Sequence, residues 1–318
     1  MQTSAGSSPV PGTNPFIKFQ RFMNYINNPD YALNTAYNKA IDFAKSHYEN
    51  FPVVSLFIPK ELRKHVAVVY QFARQADDLA DEGSATSKTR IERLEQYESQ
   101  LKNCLQGNYE NDFWFVLNNT ITLLKLTPKY FYDLLSAFKQ DVTKKRYSSF
   151  DDLLNYCERS ANPVGRIILE IFRVSDKEAL KYSDAICTAL QLTNFYQDVS
   201  VDIVKGRIYI PLDEMNSFSV DENVFELKKN NTNFILLLKY QVERTSKLFD
   251  EGWKLIPFLP DNLKKQIILT ILGGKEILRK IEQIEYNVLQ ERPSLGKFDF
   301  IKIFFKAISA AWKIKPNR

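Results

Sequence analysis

The sequence predicts an all-α protein that folds as one large helical bundle. Only 10 Gly and 13 Pro occur in 318 residues, so few points along the chain favour a turn. Between Pro59 and Gly83 neither residue occurs, and apolar residues recur there at helical spacing over about six turns. No segment sustains the alternation of a strand, and VKGRIYIP at 204–211 is the only short β-like piece.

Further helices are predicted wherever the chain runs without Gly or Pro. These segments cover roughly residues 86–106, 108–127, 129–161, 166–205 and 222–251, and another over 262–291 is broken only at Gly273-Gly274. The glycine pair indicates either a kink or a close contact between helices. No change in composition marks a domain boundary. We therefore expect one domain over residues 16–318, after a small, polar, Pro-rich and disordered tail over 1–15.

The charge and cysteine content exclude several classes of protein. The chain carries 43 basic and 38 acidic residues, interspersed, for a net charge of +5; this favours an anionic ligand or a membrane surface over nucleic acid. Three distant cysteines without CxxC spacing predict no disulfide framework or thiolate metal site and fit a reducing cytosol. No secretory signal and no run of about 20 apolar residues is present. We expect a cytoplasmic protein that does not span a membrane.

The stretch QFARQADDLADEG at 71–83 crowds three aspartates into a predicted helix. At 100° per residue, Tyr70, Arg74, Asp77 and Asp81 fall within about 60° of one another, and Asp78 lies to one side. Like charges at this spacing destabilise a helix by roughly a few tenths of a kcal/mol. Such a pattern is typical either of a solvated, salt-bridged face or of a cation site.

A second acidic pair makes the cation site the better interpretation. NFYQDVSVD at 194–202 again places two aspartates four apart, Asp198 and Asp202, with Gln191 on the same helix face and Asn194 at its edge. Two helices with paired carboxylates could bind divalent ions from opposite walls of a cavity. Mg²⁺ prefers oxygen ligands and often combines one or two carboxylates with substrate phosphates. The sequence thus predicts a diphosphate bound through bridging Mg²⁺, for which Mn²⁺ is an alternative.

Basic and phenolic side chains are candidates for direct contact with the diphosphate. These candidates are Arg74, Lys205, Arg207 and Tyr209 in KGRIYIP, and Arg292 in QERPSLGKFD. The planar guanidinium of arginine suits phosphate oxygens. A role on the solvated surface is the alternative for each of them, and proximity to Asp202 favours Arg207.

At these residues the sequence resembles the squalene/phytoene synthase family, the head-to-head branch of the isoprenoid synthases, from about His47 to Arg292. The family's two aspartate motifs, its Tyr-x-x-x-Arg and its Gln-x-x-Asn match Asp77-x-x-x-Asp81, Asp198-x-x-x-Asp202, Tyr70 with Arg74, and Gln191 with Asn194. The resemblance implies an isoprenoid synthase bundle with a central cavity. It also implies metal ligands at Asp77, Asp81, Asn194, Asp198 and Asp202.

Within the family, several stretches resemble the hydroxysqualene synthases of bacterial hopanoid pathways. They include HYENFPVVS at 47–55 and LTNFYQDVSVDIVKGRIYIP at 192–211. Phytoene and dehydrosqualene synthases tend to carry His-Ser-x-Ser-Phe where this chain has His47-Tyr48-Glu49-Asn50-Phe51. The missing hydroxyls favour presqualene diphosphate as the substrate over condensation of two farnesyl diphosphates. No GxGxxG follows a strand, so no nicotinamide cofactor is expected.

The resemblance implies that diphosphate departs, the cyclopropylcarbinyl cation rearranges and water captures the resulting allylic cation. Aromatic faces stabilise such cations, and the candidate lining residues are Phe51, Tyr70, Tyr156, Phe195 and Tyr196, each with core packing as the alternative. Our own hypothesis is that Glu49 or Asn50 positions the water, rather than merely facing solvent. We expect His47 to contact phosphate or to pack in the core, and His65 to be structural.

Two further alternatives concern the C-terminus and the activity. FDFIKIFFKAISAAWKIKPNR combines Phe, Ile and Trp with Lys302, Lys306, Lys313, Lys315 and Arg318. It predicts either a basic amphipathic helix on the inner face of an anionic membrane or a last bundle helix with a solvated face. For the activity, the alternatives are head-to-head condensation, a catalytically silent assembly factor, and a class I terpene cyclase. A silent protein would be expected to lose aspartates, and a cyclase to carry an NSE-type second motif.

Overall fold

The computed structural model describes residues 29–47 and 58–313. Within these two ranges the chain forms helices joined by turns and short extended connections, with no strand. The predicted all-α bundle is therefore confirmed. The tail predicted over residues 1–15 lies outside the described residues. Among the described residues, no helix combines the length and apolar character needed to cross a bilayer.

In chain order, the helices of the described residues are α1 (Pro29–Ser46), α2 (Lys60–Asp81), α3 (Ser87–Leu105), α4 (Asp112–Leu124), α5 (Pro128–Thr143), α6 (Phe150–Ser160), α7 (Asn162–Ile171), α8 (Lys177–Gln197), α9 (Val199–Asp202), α10 (Leu212–Ser217), α11 (Asn223–Glu226), α12 (Thr232–Gly252), α13 (Asp261–Gln283) and α14 (Lys297–Lys313). Two 3-10 turns, at Ile203–Lys205 and Trp253–Phe258, follow α9 and α12.

Three of the predicted long helices are divided, because local capping and tertiary contacts override the absence of Gly and Pro. The segment 129–161 splits at 144–149, where Ser149 caps α6 by accepting the N–H of Asp152 at 3.2 Å. The segment 166–205 splits before Asp176, whose carboxylate caps α8. The segment 222–251 splits at 227–231, where Asn231 caps α12 by accepting the N–H of Phe234 at 2.8 Å. Predictions of continuous helices were wrong there, since a side chain that satisfies free N–H groups lets a new helix begin.

The β-like piece at 204–211 forms an extended connection rather than a strand. It runs beside the connection between α5 and α6, where Ile208 N–H donates to the carbonyl of Lys145 at 3.1 Å and Leu212 N–H donates to that of Tyr147 at 2.9 Å. These two hydrogen bonds hold the residues after α9 against the end of α5. The connection thereby brings the second acidic stretch to α5.

The core consists of two hydrophobic clusters that meet at α7. One cluster is built around α2, which packs against α1, α3, α4 and α5; the other surrounds α8, which packs against α7, α12 and α13. Ile168 and Phe172 pack against both clusters. Each acidic stretch thus lies on the central helix of its own cluster or at that helix's end.

Gly273-Gly274 does not interrupt α13, which runs continuously through both residues. A Cβ on Gly274 would lie 2.3 Å from Cζ of the buried Phe249 in α12, whereas a Cβ on Gly273 would meet only Cδ1 of Leu295 at 4.0 Å. Of the two predicted alternatives, a kink or a close contact between helices, the close contact is the one that the structure shows, at Gly274.

Candidate active site

The first acidic wall is the C-terminal half of α2. Asp77 and Asp81 stand one turn apart, and Asp81 is the last residue of the helix. Arg74 pairs with carboxylates of its own segment: its Nε lies 2.7 Å from Asp78 Oδ1, and its Nη2 lies 2.8 Å from Glu82 Oε1. Arg74 Nη1 also lies 3.5 Å from Asp77 Oδ2, so Arg74 joins Asp77 to Asp78. Asp78 also lines a cleft with Gln75, Leu79 and Tyr97, to one side of the Asp77–Asp81 pair as the helical register predicts.

The second acidic wall spans a helix break rather than one continuous helix. Asp198 (φ −101°, ψ 13°) lies between α8 and α9, so the predicted single helix through this pair is wrong. Contacts from outside the helix hold the break: Arg292 Nε lies 2.5 Å from Asp198 Oδ1, and Gln197 Nε2 donates to the carbonyl of Pro293 at 2.7 Å. The N–H of Asp202 still donates to the Asp198 carbonyl at 2.8 Å, which keeps the two residues one turn apart.

Asn194 and Gln191 come from the last turns of α8. Asn194 is exposed, and its Nδ2 donates to Asp198 Oδ2 at 2.8 Å. Gln191 is half-buried one turn earlier. The amide of Asn194 therefore orients the Asp198 carboxylate, while its own carbonyl oxygen is a further hard donor of the type that Mg²⁺ accepts.

Lys205 and Arg207 bring the two walls together. Arg207 places Nη1 3.0 Å from Asp81 Oδ2 and Nη2 2.5 Å from Asp81 Oδ1, and Lys205 Nζ lies 2.7 Å from Asp81 Oδ2. Gly206 permits the turn between them with a φ of 70°, a conformation that side chains disfavour. The Arg207 N–H donates to the carbonyl of Asp202 at 2.9 Å. The cations predicted to bind phosphate therefore lie between Asp81 and the second acidic pair.

The electrostatic surroundings of Asp81 differ from those of Asp77 and Asp202. Burial opposes ionisation of Asp81, but hydrogen bonds from Arg207 and Lys205 outweigh it and lower its pKa to about 2. Desolvation and the neighbouring Asp81 raise the pKa of Asp77 to about 6. Desolvation and the neighbouring Asp198 raise the pKa of Asp202 to about 7. Two of the four carboxylates are thus incompletely compensated by the cations around them.

This donor set fits a divalent metal. Among the described residues, no three carboxylate, imidazole or thiol side chains converge closely enough to hold a metal by themselves. Each wall instead offers two carboxylates, which suits Mg²⁺, an ion that keeps several waters and completes its shell with phosphate oxygens. A divalent cation would also offset the like-charge repulsion that raises the pKa values of Asp77 and Asp202.

Aromatic rings adjoin the acidic walls. Tyr209 stacks on Phe195 with centroids 3.8 Å apart and planes inclined by 7°, and Tyr156 lies 6.0 Å from Phe195. Tyr147 stacks on the other side of the cluster, 5.6 Å from Tyr209. Tyr196 is buried in the same cluster, but it lies by Arg244 of α12 rather than against these rings. Helical rotation by one residue turns Tyr196 away from Phe195, and its role as a lining residue stays a prediction.

Sequence reasoning missed Asp141, near the end of α5. Its Oδ2 accepts a hydrogen bond from Tyr156 at 2.7 Å, and its Oδ1 accepts one from Tyr209 at 3.4 Å. Its backbone carbonyl accepts from Arg207 Nη2 at 3.1 Å. Burial raises the pKa of Asp141 to about 6, against the lowering effect of the Tyr156 hydrogen bond. The available signal was an aspartate seven residues after the buried Leu134, at a position where helical periodicity calls for an apolar residue.

The remaining predicted residues have mixed outcomes. His65 is buried, with Nδ1 2.9 Å from Thr120 Oγ1, as expected of a structural histidine. His47 is exposed at the end of α1 and stacks on Phe43 with centroids 4.2 Å apart, which rules out the packed-core alternative. Its carbonyl accepts the Tyr70 hydroxyl at 3.2 Å. Glu49, Asn50 and Phe51 lie outside the described residues.

The sequence is similar to those of known proteins over the part of the chain that carries the candidate site. A sequence model described as squalene/phytoene synthase matches residues 44–299. A hydroxysqualene synthase of Rhodopseudomonas palustris is 31% identical over 265 residues, covering 82% of this chain and 88% of the relative. A second, of Zymomonas mobilis, is 41% identical over 182 residues, covering 56% of this chain and 60% of the relative. A 15-cis-phytoene synthase of Synechococcus elongatus is 26% identical over 273 residues, covering 82% and 88%.

A solved structure agrees with these sequence matches. The crystal structure of squalene synthase HpnC from Alicyclobacillus acidocaldarius is 37% identical, with a TM-score of 0.76 over 80% of this chain and 96% of that chain. The match confirms that the helices of this chain follow the arrangement of a known synthase.

Proposed function

Because the chain belongs to the squalene/phytoene synthase family, whose members process prenyl diphosphates, we propose that it converts presqualene diphosphate and water into hydroxysqualene and inorganic diphosphate. The observation that carries this proposal is the meeting of two aspartate pairs at one cationic cluster, with Arg207 and Lys205 on Asp81 and Arg292 on Asp198. The names of two similar relatives support the choice of reaction.

The acidic walls and the basic residues would bind the diphosphate jointly. Asp77, Asp81, Asn194, Asp198 and Asp202 would hold Mg²⁺, which neutralises the charge that develops on a departing diphosphate. A carboxylate has about four lone-pair positions, so Asp81 can keep its contact with Arg207 while it also binds a metal. Arg207 and Lys205 would donate to the phosphate oxygens next to Asp81. Arg292 lies against Asp198 and would orient that carboxylate, and Arg74, whose Nη1 lies 3.5 Å from Asp77 Oδ2, would orient Asp77.

The proposed reaction is balanced without a reductant. The bond between the substrate carbon and the diphosphate oxygen breaks, and both electrons leave with the diphosphate. The cyclopropylcarbinyl cation rearranges to an allylic cation, for which Tyr156 and the face of Phe195 that is not stacked on Tyr209 would provide π-electron density. The oxygen of water forms the new carbon–oxygen bond, and one of its protons is released. In this scheme Glu49 or Asn50 positions the water, and His47 lies near the diphosphate.

The test is incubation of the purified protein with Mg²⁺ and presqualene diphosphate, without any nicotinamide, followed by mass spectrometry of the lipid product. We expect a C30 alcohol whose oxygen comes from labelled water, and no product from Asp77→Ala or Asp198→Ala. Formation of the alcohol by both variants would contradict the proposed site. Glu49→Ala should increase the share of eliminated or rearranged products, and an unchanged profile would exclude Glu49 as the positioning residue.

The rival activity is head-to-head condensation of two prenyl diphosphates, which the similarity to a phytoene synthase favours. Consumption of farnesyl diphosphate alone, with no turnover of presqualene diphosphate, would establish that reaction and keep the metal site. Absence of product from both presqualene diphosphate and farnesyl diphosphate would support the alternative of an assembly factor. Family membership sets aside the class I terpene cyclase.

A further inference from the structure

The C-terminal helix α14 presents an apolar face to solvent. Its exposed apolar side chains are Phe298, Phe300, Ile301, Phe304, Phe305 and Ile308, with Phe298 88% and Phe305 66% exposed. At 100° per residue these six positions form one arc of about 160°. An apolar face of this kind marks an interaction surface rather than ordinary scattered exposure.

The same helix is anchored to the bundle by its other side. Ile303 and Ala307 are buried, α14 packs against α13, and Asp299 pairs with Lys280 of α13 at 2.8 Å. The apolar arc is therefore not the side that α14 needs for packing within the described chain. Its position on an anchored helix means that it is presented in a fixed orientation.

The charged residues around the apolar arc indicate which kind of partner it binds. Lys302 and Lys306 follow the apolar arc at its edge, one turn apart, and both are exposed. Lys302 Nζ lies 3.8 Å from Glu276 Oε1 of α13, and its side chain is 50% exposed. Lys297 is exposed at the start of the helix. Among the described residues of α14, Asp299 is the only carboxylate, and it is paired on the packed side. An aromatic face bordered by lysines is the pattern of a helix that lies in the interface of an anionic membrane.

We propose that the Phe298–Ile308 face of α14 binds the surface of a bilayer that contains anionic lipids, with the phenylalanines among the acyl chains and the lysines at the headgroups. Long lysine side chains reach the headgroup level while their stems cover apolar surface. A symmetric pairing of two copies through this face would gather lysines of both chains without a carboxylate on the arc to compensate them.

The helix is also close along the chain to the second acidic wall. Arg292 contacts Asp198, Pro293 accepts from Gln197, and α14 begins at Lys297. Five residues span at most about 18 Å, so a bilayer bound by α14 would lie near the site. If the proposed function holds, an apolar C30 substrate and product would exchange directly with the membrane.

The test is co-sedimentation of the full-length protein, without substrate, with vesicles of phosphatidylcholine alone or with phosphatidylglycerol added. We expect binding to the mixed vesicles that weakens with salt, and little binding to neutral ones. Phe298→Ser with Phe305→Ser should weaken binding at least about tenfold, and Lys302→Gln with Lys306→Gln about tenfold. Leu227→Ser, at a residue 72% exposed elsewhere, is the matched control and should bind as the wild type does.

Absence of binding by a wild-type protein that unfolds cooperatively would overturn the proposal, as would equal binding to neutral vesicles. A wild-type dimer that the double phenylalanine variant converts to monomer, without vesicle binding, would assign the face to a second copy. Because no turnover is measured, these outcomes are independent of the reaction that the site performs.

Discussion

Arg207 holds Asp81 with both terminal nitrogens of its guanidinium, although the two residues are 126 positions apart in the chain. This fork joins the end of α2 to the residues that follow α9, and so fixes how the two acidic walls face each other. Arg207 is buried, whereas Lys205, the second cation on Asp81, is about half exposed. The two contacts should therefore differ in their contribution to stability.

Arg207→Lys should lower the free energy of unfolding by about 1–2 kcal/mol, because a single ammonium cannot reproduce a bidentate contact with a carboxylate. Lys205→Gln should cost less than about 1 kcal/mol, as exposed pairs usually do. Urea unfolding of both variants at pH 7.5 measures the difference. An equal loss of unfolding free energy in both variants would mean that the bidentate contact between Arg207 and Asp81 does not hold the two acidic walls in place.

Asp141→Asn should separate stability from activity. At pH 7.5 the buried Asp141 is charged although burial raises its pKa to about 6, so a neutral amide should leave the protein equally or more stable. We expect turnover of presqualene diphosphate to fall at least about tenfold, since a buried charge kept at a cost in stability is typical of a functional site. Thermal unfolding and steady-state kinetics measure the two effects. A variant with full turnover would leave Asp141 with a structural role only.

His65 should make stability depend on pH in mild acid. Burial, with a smaller contribution from the charge of Lys64, lowers the pKa of His65 from 6.5 to about 4. Below pH 6.5 the unfolded chain therefore binds a proton at His65 that the folded protein does not bind. The free energy of unfolding falls by about 3 kcal/mol in total as the pH drops from about 6.5 to 4.

The comparison for His65 is His65→Gln, which cannot titrate. Urea midpoints should be lower for the variant than for the wild type at pH 7.5, because the contact with Thr120 is disturbed. The difference between the two urea midpoints should be smaller at pH 5, because only the wild type is destabilised by protonation of this residue. Urea midpoints that change with pH in the same way for both proteins would show that His65 binds its proton equally well in the folded and unfolded states, which would contradict the lowered pKa.

Gly274→Ala should destabilise the protein by about 1–3 kcal/mol, since the added methyl group overlaps the ring of Phe249 in a packed core. Gly273→Ala is the matched control: it lies one residue away in the same helix, meets only Leu295 at 4.0 Å, and should be neutral or stabilising by up to about 1 kcal/mol. Denaturant unfolding distinguishes them. Equal effects would mean that α12 and α13 can move apart without cost.

The first acidic wall could be predicted from the sequence because it depends on local periodicity alone. Asp77 and Asp81 share a face of one uninterrupted helix, as their spacing indicates. The break at Asp198 could not be predicted, because it accompanies an ion pair with Arg292, 94 residues later. For Asp141, the periodicity of α5 signals a polar residue at a buried position, but its phenolic partners, 15 and 68 residues away, could not be predicted. Long-range partners, not local propensity, determine both features.

The most direct test of the central claim is whether both walls bind one metal–diphosphate unit. Titration calorimetry with inorganic diphosphate and Mg²⁺ at pH 8, above the raised pKa values of Asp77 and Asp202, measures this without any turnover. We predict that Asp77→Asn and Asp202→Asn each weaken Mg²⁺-dependent binding at least about tenfold. Asp133→Asn, whose carboxylate pairs with Lys129 at the start of α5 and outside both walls, should bind as the wild type does. Weaker binding by only one of the two wall variants, or equally tight binding of diphosphate without Mg²⁺, would contradict the account.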